Sequence, residues 1–131
     1  MTCVIAVLMA ALSFLLNRAA LRCVGAKAVI SLSPALEEAA KTIPAYYLGA
    51  DIFFTHVIFG VVEAGYDWRT GRRHGPPAAF LSVAGHGLFG FATAGVLYLT
   101  GSLWLAVAST AAVHIAWNVA AIRLTAGKET K

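Results

Sequence analysis

Glu37 and Glu38 stand side by side in a chain that is otherwise mostly apolar, with Lys41 one turn further on. Glu63, His86 and His114 follow as single ionisable residues inside long apolar runs. Ionisable groups are costly to hold in or near a bilayer, so each needs a partner or a task. Two chemistries fit two histidines and several glutamates. In one, a glutamate acts as general base on a water, and histidine or asparagine stabilises the oxyanion that forms. In the other, His86, His114 and Glu63 bind zinc, which acidifies the water. The spacing contains no HExxH element, so no metal or other cofactor is expected, with zinc kept as the alternative. No serine lies in a nucleophile-elbow context. Neither Cys3 nor Cys23 falls at the depth of the histidines, and they mark opposite ends of the first apolar segment, so no disulfide is expected.

Each of these residues also has a plainer reading. Glu37 and Glu38 could simply occupy the first turn of a helix, where negative charge is favoured. Glu37 and Lys41 are four residues apart on one helical face and are expected to pair. Glu38 points about 100° away and is expected to be free for another task. His56, Phe59 and Glu63 share a face, with His56 read as a packing residue outside the site. Ser82, His86, Gly90 and Thr93 form a narrow polar face, and the glycines around His86 would let helices approach closely. Thr110, His114 and Asn118 share a face, with Trp117 beside them filling the core or lining a cavity.

The elements that must position these groups are helices. The chain has 131 residues, 60% hydrophobic and 12% charged. Long apolar runs broken by short basic segments indicate an all-α, polytopic membrane bundle forming one domain over 1–131. The runs lack the alternation of barrel strands. The net charge of +4 does not indicate nucleic acid, because the basic residues fall in clusters that flank apolar segments. Five helices are expected. The first covers about Thr2–Leu16 and is read as a retained span; a basic link follows to Lys27. The second starts near Ala28, or in regular form at Pro34 with Ser33 as N-cap, and ends near Gly49. The others cover about Ala50–Tyr66, Ala78–Leu99 and Leu103–Leu124. The last four form a catalytic core over about 28–124.

Charge sets the orientation. With five spans, Arg18/Arg22/Lys27, Arg69/Arg72/Arg73 and Arg123/Lys128/Lys131 all fall on the cytoplasmic side, leaving the N-terminus outside and the C-terminus inside. Tyr46, Tyr47, Tyr98 and Trp104 then lie at the outer ends, and Tyr66 and Trp68 at the inner end. At about 1.5 Å per residue, Glu37, Glu63, His86 and His114 all lie ~9–16 Å from the inner edge. Lipid cannot host them, so they are expected to face a common interior.

The same residues resemble a known set. Glu37-Glu38-Ala39-Ala40-Lys41 is similar to the EExxK motif of the PrsW family of intramembrane proteases. Phe59-Gly60-Val61-Val62-Glu63 resembles its FxxxE motif. His86, in a glycine- and phenylalanine-rich helix, resembles its third motif, and His114-Ile115-Ala116-Trp117-Asn118 its closing HxxWN motif. Order and spacing agree over about Ser33–Ala121. The family is related to the CPBP/CAAX-type membrane endopeptidases. The resemblance implies a multi-pass protein of a prokaryotic plasma membrane that hydrolyses peptide bonds of membrane-anchored protein or peptide substrates. It implies Glu37 and Glu38 as the water-activating pair, with Glu63, His86 and His114 completing the catalytic set and Lys41, Phe59 and Asn118 supporting it. A non-catalytic binding or immunity-type relative and a small proton- or metal-coupled transporter are the alternative readings. The oligomeric state is not encoded in any of these patterns.

Overall fold

The computed structural model describes residues 1–69 and 75–126, with side chains described except at 26–31, 67, 75, 78 and 121–126. Five helices make up these residues: α1 (Thr2–Val24), α2 (Ala26–Tyr47), α3 (Ile52–Arg69), α4 (Gly75–Thr100) and α5 (Leu103–Ala126). No strand occurs among the described residues. The all-α expectation therefore holds. Three helical stretches are long and apolar enough to cross a membrane: Thr2–Val24, Ala79–Thr100 and Leu103–Ala120. The apolar part of α3, Ile52–Tyr66, is shorter. Arg72, Arg73, Lys128 and Lys131 of the expected basic clusters lie outside the described residues, as do the side chains of Lys27 and Arg123.

Two expected boundaries are corrected. The first helix does not stop near Leu16 but runs on to Val24. Asn17–Arg22 was expected to be a link because it is basic, yet Arg, Ala and Leu are all good helix formers. The second helix starts at Ala26, close to the earlier of the two expected starts, so the start at Pro34 is the one corrected: Ser33 is not its cap and Pro34 lies inside it. A proline there forfeits one backbone bond, a loss that neighbouring groups can absorb inside a bundle. A single residue, Gly25, turns the chain from α1 into α2 with φ +81°, a conformation open to glycine and strained for other residues. Asp51 caps α3 by accepting from Phe54 N at 2.8 Å, and Ser102 caps α5 by accepting from Leu105 N at 3.3 Å.

The helices pack as a closed ring, α1–α2–α5–α4–α3 and back to α1, with α2 also meeting α3 across the middle. α3 and α4 approach most closely. A Cβ added at Gly60 would lie 2.8 Å from His86 Cβ, and one at Gly90 would lie 2.7 Å from His56 Cβ. The interior is largely polar and the exterior apolar. Lys41, His56, Glu38 and Thr42 are among the largest fully buried side chains, whereas Leu8, Leu15, Phe80, Phe91, Leu99 and Trp104 are exposed. This distribution suits surroundings that are themselves apolar.

Candidate functional site

Glu38 is the centre of the buried network. It comes from the middle of α2 and is fully buried. Its Oε1 accepts from Lys41 Nζ at 2.6 Å and from His114 Nδ1 at 2.9 Å. Its Oε2 faces His56 Nδ1 at 3.6 Å, and His56 Nε2 lies 3.2 Å from Thr42 Oγ1. The expected Glu37–Lys41 pair is thus corrected: Lys41 pairs with Glu38, three residues away. Both spacings are neighbours on a helix, and the surrounding helices decide between them. Glu38 is not free, and His56, expected to lie outside the site, packs against it.

Lys41 also reaches His86 Nδ1 at 3.0 Å and lies 4.6 Å above the Phe59 ring, a favourable cation–π arrangement. An ammonium only donates, so His86 Nδ1 is the acceptor and Nε2 carries the proton. That N–H donates to Glu63 Oε2 at 2.6 Å, which also accepts from Ser82 Oγ at 2.8 Å. A continuous chain, Glu38–Lys41–His86–Glu63–Ser82, therefore links α2, α4 and α3. Its Glu63–Ser82 end opens outward, with 40% of the Glu63 side chain exposed and Ser82 half-buried.

Glu37 lies beside this chain. Asn17 of α1 donates to its Oε1 at 2.6 Å. Its Oε2 faces His114 Nε2 at 3.9 Å. In the neutral tautomer that gives Nδ1–H to Glu38, the Nε2 facing Glu37 carries a lone pair. The gap is too long for a direct hydrogen bond, a separation that a water beside the two atoms can bridge. Phe89 holds the imidazole in place, stacked on His114 with centroids 4.4 Å apart. Trp117 stands edge-on to Phe89 at 6.1 Å.

All five expected catalytic residues, Glu37, Glu38, Glu63, His86 and His114, fall in one cluster, together with Lys41 and Phe59. Asn118 is half-buried, one turn beyond His114, and makes no hydrogen bond among the described residues. Asn17, Thr42 and His56 were missed. His56 had been placed on the Glu63 face, which was the available signal. Asn17 offered none, because a basic link was expected where α1 continues.

The zinc alternative took His86, His114 and Glu63. The carboxylate oxygens of Glu37 and Glu63 and a nitrogen of His86 lie within 4.8 Å of one another, so Glu37 takes the place of His114 in that set. His86 here faces Lys41 Nζ with Nδ1 and Glu63 with Nε2, so a metal bound by this set would have to displace Lys41 or the Nε2 proton. A surface depression of about 370 Å³ lies elsewhere, against Asp51, Phe53, Leu97 and Tyr98.

No family model matches the chain, and neither a curated protein nor a solved structure matches it significantly.

Proposed function

We propose that this chain is a glutamate-dependent intramembrane endopeptidase of PrsW type, acting on membrane-anchored protein or peptide substrates. The observation that carries the reading is the 3.9 Å gap between Glu37 Oε2 and His114 Nε2. A water there donates one hydrogen to each. Glu37 takes the proton as the water oxygen bonds to the scissile carbonyl carbon. The proton then passes to the leaving amine nitrogen as the C–N bond breaks. Glu38 holds His114 in the tautomer that this requires and neutralises Lys41. The chain spans the membrane five times with its N-terminus outside, and the site lies in the cytoplasmic half of a prokaryotic plasma membrane. The basic clusters and aromatic belts support that orientation.

The second reading is a non-catalytic membrane binding protein. It is favoured by the tight closure of the network, in which Glu38, Lys41, Thr42 and His56 are all 0% exposed. Cleavage of single-span reporter proteins in membranes separates the two. The intact chain is compared with Glu37→Gln and His114→Ala at equal abundance. Cleavage lost in both variants establishes the protease. No cleavage by the intact chain on any reporter, with the variants folded, leaves the binding protein.

A further inference from the structure

Three buried oxygens on α1 and α2 meet no hydrogen-bond partner among the described residues: Ser13 Oγ, Asn17 Oδ1 and Ser33 Oγ. Ser13 is 1% and Ser33 4% exposed. Leaving such groups unmatched costs about 1–3 kcal/mol each, so an unmatched row of three calls for an occupant. Their arrangement is regular. Ser13 and Asn17 are four residues apart on α1, and Ser33 and Glu37 four apart on α2, so each pair lies on one face. The Asn17–Glu37 bond shows that these faces meet.

The two helices run in opposite directions, joined by Gly25 alone. Ser33 therefore lies on the Gly25 side of the Asn17–Glu37 bond and Ser13 on the far side. At 1.5 Å per residue the row extends over ~12 Å. Its members are two hydroxyls, which donate and accept, and one amide oxygen, which accepts. That inventory suits water. A buried water needs two to four polar partners, and an apolar or anionic occupant would leave the hydroxyl donors or the amide acceptor unmatched.

We propose that the α1–α2 seam holds a file of ordered water running from Ser33, past Asn17 and Glu37, to Ser13. Asn17 is then a positioning residue: its amide N–H orients Glu37 while its oxygen accepts from a water in the middle of the file. Water is the second substrate of hydrolysis, and the Glu37–His114 gap lies beside dry, fully buried side chains. The seam is its supply route. That role rests on the protease reading; the hydration of the seam does not.

The test is water-edited solid-state NMR on the full chain, with isotope-labelled serine and threonine, in phosphatidylethanolamine–phosphatidylglycerol bilayers. Ser13→Ala and Ser33→Ala assign the two signals. Thr93 and Thr110 are the controls, because they are equally buried but bonded to each other at 2.8 Å. Ser13 and Ser33 are expected to take up water magnetisation several-fold faster than the threonines. Equal, slow uptake at all four overturns the proposal. Thermal unfolding gives an independent reading. A water-held serine loses stability on replacement by alanine, whereas a dry, unmatched one gains it. A rise or no change in Tm for both variants counts against the file. In the reporter assay the two alanine variants slow cleavage several-fold with Glu37 intact. Unchanged cleavage with a wet seam removes the supply role. An intact chain that cleaves nothing removes the protease reading and leaves the hydration result standing.

Discussion

Glu38 and Lys41 form a buried ion pair 2.6 Å apart, with both side chains fully removed from the surface. The pair is one turn long, yet α4 and α5 complete it, through His86 and His114. Breaking a buried pair by removing one partner costs about 3–5 kcal/mol, because the other charge is left uncompensated. Lys41→Met is therefore expected to destabilise the protein by an amount in that range, measured by thermal or denaturant unfolding in detergent micelles. The double variant Glu38→Gln/Lys41→Met should recover part of the loss. A double variant worse than the sum of the singles would contradict the pairing.

The two neighbouring glutamates are expected to fail differently. Glu37→Gln keeps the fold and its bond from Asn17 but loses the base, lowering reporter cleavage roughly a hundred- to ten-thousand-fold. Glu38→Gln loses cleavage together with stability, because it weakens the anchors of Lys41 and His114. Comparing cleavage with Tm for both variants separates the roles. Equal loss of stability in both would erase the distinction.

Close packing of α3 on α4 predicts a sharp contrast among glycines. Gly60→Ala and Gly90→Ala each drive a methyl into the Cβ of a histidine on the facing helix. Overpacking of this kind costs about 1–3 kcal/mol. Gly87→Ala, with open space around the new methyl, should be neutral or stabilising by up to about 1 kcal/mol. Unfolding of the three variants side by side checks this.

Chelation offers a fourth test. His86 has both nitrogens committed, so dialysis against EDTA should leave Tm and reporter cleavage unchanged. Zinc restoring activity to a chelated sample would show that Lys41 withdraws from His86 and frees a ligand.

The helical architecture and the convergence of Glu37, Glu63, His86 and His114 were legible because isolated ionisable residues are conspicuous against apolar runs. The choice of partner was not. A lysine three or four residues after a glutamate pair can turn to either. What decides is His114 and Asn17, which arrive from other helices, α5 and α1. The N-terminal helix was undervalued for a related reason. Arg18 and Arg22 read as topology marks, yet both ride on a continuous helix that carries Asn17 to Glu37. His56 reads as a packing histidine because it lies nearer the outer end of its helix, and its approach to Glu38 depends on α3 packing against α2.

The contact of α3 with α4 is reciprocal: each helix offers a glycine where the other offers a histidine, Gly60 to His86 and Gly90 to His56. Neither member of a pair can therefore drift alone. A related chain that replaced Gly60 by any larger residue would need a smaller side chain at 86, and with it would lose the link from Lys41 to Glu63. One that gave up His56 would be free to fill Gly90. The two pairs should covary across homologous sequences as two linked choices, and their joint presence marks chains that keep the network assembled.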